Sequence, residues 1–220
     1  MSLQDDLDAL RRDFEAKAPP QAVAIMHRAT ADLAASGQAA RALKAGDAAP
    51  PISIPDADGR VVRSADLLAN GPLVVTFYRG IWCPYCNLDL KALEARAGDI
   101  RAYGASLIAI SPQTQANGRK TQADLTLSFP VLSDQGGAVS EAFGLRYALP
   151  ADLLALYKDF GVDLASVNGD VSGTLPMPAR LVIDRSGVIA YAEVSPDYTR
   201  RPDPGVLLPV LDRLRASSAA

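Results

Sequence analysis

The 220-residue sequence predicts an α/β architecture: a sheet with helices on both faces, preceded by a two-helix extension. Three observations carry this. Strand-sized runs such as Leu73-Val-Val-Thr-Phe-Tyr, Ser106-Leu-Ile-Ala-Ile and Arg180-Leu-Val-Ile alternate with stretches of helical periodicity. The first of these runs is apolar and β-branched, as a strand buried on both faces has to be. Hydrophobic residues make up 49% of the chain, enough for a sizeable core.

The elements follow in order. Residues 3–18 and 21–36 read as helices, the first with Leu3, Leu7, Leu10 and Phe14 on one stripe. Pro19-Pro20 ends one helix and opens the next, and Gly37 suits the second helix's C-terminus. A short helical stretch at 41–44 closes an arm, residues 1–45, too small to hold a core alone. Its stripe has to bury on the main domain or on a second subunit, and a homodimer is the expectation. The main domain, residues 46–220, opens with a hairpin, Ile52-Ser-Ile and Val61-Val-Arg around Asp56-Ala-Asp-Gly59. A short helix follows with Ser64 as its N-cap. Beyond the strand at 73–78 comes a helix from residue 84 with Leu88, Leu90 and Leu93 on its packed side. Then follow a strand at 106–110, a helix at 115–125, a strand at 129–132 and a helix at 153–160. Residues 161–174 read as a loop, Asp184-Arg-Ser-Gly187 as the turn of a second hairpin, and 204–216 as a closing helix.

Composition excludes much. A formal charge of −3 argues against a nucleic-acid or anionic-membrane partner. No run approaches the roughly 18 apolar residues of a spanning helix. The first residues are acidic and helical where a secretory signal is basic and then apolar, so a cytoplasmic location is expected. One histidine, His27, cannot build a multi-imidazole zinc site, and no nucleophile elbow exists for a triad. No GxxxxGK[ST] or GxGxxG occurs, and neither a metal nor another cofactor is expected.

Two cysteines remain, and they lie three residues apart. Cys83-Pro84-Tyr85-Cys86 falls at a strand-to-helix junction, with Cys83 as N-cap and Pro84 at N1, where a missing N–H costs nothing. Free amides and the helix dipole then favour a thiolate on Cys83. Cys86 is one turn on, within reach of a disulfide. Alternatives exist. Half a zinc site would need two more ligands, inert packing thiols fit poorly after a core strand, and a structural disulfide suits an exported chain. A dithiol cycling through a disulfide fits best.

Thr76-Phe-Tyr-Arg-Gly-Ile-Trp-Cys-Pro-Tyr-Cys86 resembles the active-site segment of the thioredoxin superfamily, with the Cys-Pro-Tyr-Cys of glutaredoxins. Gly46-Asp-Ala-Ala-Pro50, Ala109-Ile-Ser-Pro112, Phe129-Pro-Val-Leu-Ser-Asp134 and Leu181-Val-Ile-Asp-Arg-Ser-Gly187 are similar to the alkyl hydroperoxide reductase / thiol-specific antioxidant (AhpC/TSA) branch, the peroxiredoxin-like proteins. The resemblance covers residue 46 to the C-terminus and implies a thioredoxin-like fold, a central mixed sheet flanked by helices.

It further implies a peroxidase. Cys83 would attack a hydroperoxide and become a sulfenic acid, Cys86 would resolve it, and thioredoxin, glutaredoxin or glutathione would restore the dithiol. Two departures from the family pattern matter. Peroxiredoxins carry Pro-x-x-x-Thr/Ser-x-x-Cys, and here Thr76 and Gly80 stand at the Pro and Thr positions. Pro178 stands where thioredoxin-like reductases have a cis-proline, with Arg180 two residues on. Arg79, Trp82, Pro178 and Arg180 are therefore the candidate substrate-binding residues, Arg79 and Arg180 as peroxide-polarising charges or solvated ones, Trp82 as a partly exposed docking surface. Tyr198-Thr-Arg-Arg201 reads as a charged loop, with the lining of a cleft as the alternative. A thiol–disulfide oxidoreductase using the same cysteines, or a non-enzymatic redox sensor with the arm as partner-binding element, are the competing expectations.

Overall fold

The computed structural model describes residues 2–218. The arm forms as the periodicity requires. Helix α1 (Leu3–Lys17) starts at a capping box, Ser2 Oγ accepting from the Asp5 amide and Asp5 Oδ2 from the Ser2 amide. Helix α2 (Pro20–Ala35) starts on its proline, and a single turn, α3 (Gln38–Arg41), follows Gly37, whose φ of +68° reverses the chain. This turn lies earlier than residues 41–44, where the sequence placed it.

The main domain runs β1 (Ser53–Pro55), β2 (Val61–Arg63), α4 (Ser64–Leu68), β3 (Leu73–Phe77), α5 (Pro84–Ala102), β4 (Ser106–Ser111), α6 (Gln115–Asp124) and β5 (Val131–Ser133). It continues through α7 (Ala138–Ala142), β6 (Arg146–Ala148), α8 (Ala151–Asp159), α9 (Leu164–Asn168), β7 (Thr174–Pro176), β8 (Ala179–Ile183), β9 (Ile189–Val194) and α10 (Leu207–Ser218). Ser64 is the first residue of α4 rather than its cap, because its hydroxyl accepts from the Ile52 amide across the hairpin. The loop expected over 161–174 contains α9, and β7 pairs with β6 in a small antiparallel ladder. Three-residue strands, one of them ending in Pro176, leave no periodic signal to read.

The central sheet has the order β5-β4-β3-β8-β9. Its β3–β4 and β4–β5 pairs are parallel and its β3–β8 and β8–β9 pairs antiparallel, a mixed sheet. Residues of β3 are buried on both faces. Leu73, Val75 and Phe77 pack with Ile108, Ile110, Leu181 and Phe143 on one side. Val74 packs on the other, with Leu90 and Leu93 of α5 and Leu207 and Leu211 of α10.

The arm's stripe buries in that second layer: Leu3 and Leu7 join the core beside α5, and α2 lays Ala29 against Leu153 and Tyr157 of α8. Two of the four stripe residues, Leu3 and Leu7, thus bury on the main domain, the first of the two surfaces the stripe allowed, while Leu10 and Phe14 stay half-buried. Among the described residues, no helix is long and apolar enough to cross a membrane.

Candidate active site

Strand β3 ends at the sheet's centre and hands the chain to a short loop, Tyr78 to Trp82, which delivers Cys83 as the N-cap of α5 with Pro84 at N1, as the spacing predicts. The loop is held from below. Gln113, fully buried, accepts from the Ile81 amide through Oε1 (3.0 Å) and donates through Nε2 to the Tyr78 and Thr121 hydroxyls (2.8 and 2.7 Å). Asn87 donates back to the Ile81 carbonyl at 2.8 Å. Gly80 sits at φ +143°, where an added Cβ would lie 2.5 Å from Trp82 Nε1. The family's hydroxyl position is thus filled by an indole on a backbone that disfavours side chains.

Cys83 and Cys86 are both buried and carry free thiols. Arg79, read from sequence as a charge that is either polarising or solvated, is 1% exposed, and its Nη1 lies 3.9 Å from Cys83 Sγ. Three rings cage its guanidinium: Cζ is 4.2 Å from the Tyr198 centroid, 4.8 Å from that of Trp82 and 5.4 Å from that of Tyr157. Its Nη2 donates to the Tyr157 hydroxyl. Burial pushes the Cys83 thiol up, but contact with the Cys86 thiol and the charges of Arg79 and Arg201 outweigh it, and its pKa falls from 9.0 to about 6. Cys86 goes the other way, raised well above 9.0 by burial and by the neighbouring Cys83.

Cys83 faces a cavity of about 270 Å³. Arg79, Trp82 and Tyr198 form its inner wall, Leu10, Phe14 and Met26 of the arm cover it, and Tyr157 and Phe160 close one side. The Trp82 and Tyr157 centroids lie 5.3 Å apart, and Phe14 meets Phe160 edge-on at 6.1 Å. Trp82, half-buried, is a cavity wall as much as an outward surface.

Pro178 and Arg180 are elsewhere. Both line a void of about 10 Å³ with Thr76 and Asp89, and neither lines the Cys83 cavity. Arg180 is 2% exposed and committed, donating to Asp89 and, at 2.8 Å, to the Pro202 carbonyl. Among the described residues no peptide bond is cis, so the cis-proline expected at Pro178 is corrected. Pro178 lies in the two-residue link between β7 and β8, and its carbonyl accepts from the Ser195 amide at 3.0 Å. His27 lies exposed on α2, 2.7 Å from Glu15 of α1 and far from nucleophilic duty.

Two residues of the site, Tyr157 and Asp89, drew no expectation from the sequence, while Tyr198 and Arg201 belong to the segment whose alternative reading was a cleft lining, which Tyr198 fulfils at the Cys83 cavity. Tyr157 carries no local signal, since it reaches the loop through tertiary packing. Arg201, read as part of a charged loop, is 7% exposed and places Nη2 3.5 Å from Cys86 Sγ. Asp89 was legible: it falls three residues after Cys86, inside the buried stripe of Cys86, Leu90, Leu93 and Ala97.

The segment 45–192 matches the model of the AhpC/TSA family. The chain belongs to the AhpC/TSA family. Relatives within it include the chloroplastic peroxiredoxin Q of Oryza sativa subsp. japonica, 31% identical over 146 residues, which are 66% of this chain and 57% of that protein. Peroxiredoxin Bcp of Escherichia coli K12 is 32% identical over 103 residues, 47% of this chain and 65% of the relative. The chain thus spans under two thirds of the length of these relatives. Among solved structures, peroxidoxin BcpB of Mycobacterium tuberculosis superposes with a TM-score of 0.62 at 23% identity, covering 79% of this chain and 97% of that one. This AhpC/TSA chain therefore has the thioredoxin-like fold that its motifs imply. The arm, α1 to α3, lies outside the matched segment, as do Tyr198 and Arg201.

Proposed function

We propose that the chain is a thiol peroxidase in which Cys83 is the peroxide-reactive thiolate and Cys86 resolves it. The observation that carries this reading is the buried Arg79 guanidinium 3.9 Å from Cys83 Sγ, at the wall of a cavity roofed by the arm. The Cys83 thiolate attacks the terminal oxygen of a hydroperoxide, the O–O bond breaks, and the sulfur becomes a sulfenic acid while the remaining oxygen leaves as alkoxide or hydroxide and is protonated. Arg79 stabilises that departing negative charge in a site with little water. Cys86 then displaces the sulfenic oxygen to give the Cys83–Cys86 disulfide, and an external thiol such as thioredoxin, glutaredoxin or glutathione returns the dithiol. Arg180 takes no part at the Cys83 cavity and acts from beneath by holding Asp89.

A second reading, disulfide exchange with a protein substrate, draws on Gly80, where the family's hydroxyl is missing. Against it stands Cys83 at 1% exposure in a cavity that Leu10, Phe14 and Met26 of the arm also line: a hydroperoxide fits there directly, whereas any protein partner, disulfide substrate or thiol donor, meets the arm first. Reduced wild type and Cys86→Ser, mixed with one equivalent of hydrogen peroxide and followed by intact mass, separate the two. A Cys83 sulfenate forming within seconds in the variant is the expected result. Rapid insulin reduction with sluggish peroxide consumption would replace the peroxidase with the reductase.

A further inference from the structure

Beneath the dithiol lies a cluster of buried charge that does not line the Cys83 cavity and touches the pair at Cys86. Asp89, Arg180 and Arg201 are 1%, 2% and 7% exposed. Arg180 pairs with Asp89, and Arg201 Nε lies 3.4 Å from Asp89 Oδ2. One carboxylate thus faces two guanidiniums. Two further charges line the small void beside them and have partners of their own: Glu193 accepts from the Tyr191 hydroxyl at 2.9 Å, and the exposed Arg200 lies 3.8 Å from Asp197 Oδ2. Leaving one buried positive charge without a partner is costly, and the polar atom set against it is the Cys86 sulfur, 3.5 Å from Arg201 Nη2. The guanidinium is fixed for this. Its Nη1 donates to the Tyr198 and Arg200 carbonyls (2.8 and 2.7 Å), and the arm steadies the segment, Gln4 Oε1 accepting from the Arg201 amide at 3.3 Å.

We propose that Arg201 is a positioning and charge-stabilising residue for Cys86, holding the thiolate that Cys86 becomes in both disulfide steps. In closure, Cys86 thiolate attacks the Cys83 sulfenic sulfur; the S–O bond breaks, the S–S bond forms, and the oxygen leaves as hydroxide, taking up the proton Cys86 shed. In recycling, a donor thiolate attacks Cys83 from the cavity, the S–S bond breaks, and Cys86 leaves as thiolate; a second donor thiol completes the reduction. A leaving thiolate set against a guanidinium departs faster than an isolated buried one. The other groups around Cys86 do not take this role. Cys83 is its partner, Arg79 is engaged by its aromatic cage and Cys83, Tyr78 is bound to Gln113 and Thr121, and Arg180 is spent on Asp89 and Pro202.

This assignment rests on the proposed cycle, and the test separates the two. Trp82, the single tryptophan, abuts Cys83 and reports each phase in stopped-flow fluorescence. In Arg201→Met the peroxide-dependent phase, measured in a Cys86→Ser background, should change by no more than about threefold, since Arg79 is the nearer charge. The first-order closure phase should slow by about tenfold or more, and its pH midpoint should rise, the thiolate fraction falling faster than nucleophilicity gains. Arg201→Lys should recover part of the closure rate. Closure at the wild-type rate, or oxidation and closure slowed by the same factor in both variants, would overturn the assignment. Reduction of the preformed disulfide by glutathione needs no peroxide: if Cys86→Ser forms no sulfenate, the peroxidase reading fails, and slower reduction of Arg201→Met still upholds the role of Arg201, while an unchanged rate removes it.

Discussion

Cys83 and Cys86 stand one helical turn apart, each beside a guanidinium, yet their surroundings differ in kind. Around Cys83 the arginine is held by π-faces and one hydroxyl, and the walls are aromatic and aliphatic side chains from four separate parts of the chain. Around Cys86 the arginine is held by backbone carbonyls and shares a carboxylate with a second arginine. Rings leave a guanidinium's charge unneutralised and open to a ligand in the cavity, whereas a carboxylate binds it into the scaffold. The pair thus places a charge open to the cavity beside Cys83, and beside Cys86 a charge fixed in the scaffold and only half offset by a carboxylate shared with Arg180.

Variants can break this contrast, beginning with the largest effect. Asp89→Ala leaves two buried guanidiniums without their carboxylate and should cost about 3–5 kcal/mol of stability in chemical denaturation of the reduced protein. A loss under about 1 kcal/mol, the range of exposed pairs, would mean that the Cys86 side is as open to water as the surface. Arg79→Met should slow peroxide consumption by about 10²-fold with a smaller effect on folding.

The same variant sharpens the pH behaviour. With the Cys83 pKa lowered to about 6, its thiolate, and with it the peroxide rate, increases as pH rises through that value and levels off above it. Without Arg79 the midpoint should move up, toward the ordinary 9.0, which thiolate absorbance measures directly. An unmoved midpoint would transfer the control of Cys83 to Cys86 and Arg201. Smallest is Tyr157→Phe, which keeps the ring over Arg79 and removes one hydroxyl. The peroxide rate should fall by about threefold to tenfold, a single hydrogen bond's worth.

The sequence made the Cys83–Cys86 pair at its strand-to-helix junction and most of the sheet readable because both rest on local rules. A proline at N1, a helix stripe and β-branched runs declare themselves within a few residues. The arm's stripe was equally plain, but amphipathicity names a face and not the surface it meets, so Leu3 and Leu7 could have belonged to another subunit. Arg79 and Arg201 show the deeper reason for what stayed hidden. Charged residues are read as solvated by default, and their burial here depends on Tyr157, Tyr198 and Asp89, remote along the chain or unmarked beside it. In the pair Arg200-Arg201, one side chain is exposed and the other buried, a distinction no neighbouring residue encodes.

Gly80 has a consequence for how such a site can change over descent. Restoring a hydroxyl there with Gly80→Thr meets two barriers at once, a Cβ 2.5 Å from the Trp82 indole and a β-branched residue at φ +143°. Removing the indole first lifts only one of them and also strips a ring from Arg79. Every single-substitution path toward the usual peroxide-binding threonine therefore passes through a damaged intermediate, and the glycine and the tryptophan are bound to be kept or lost together.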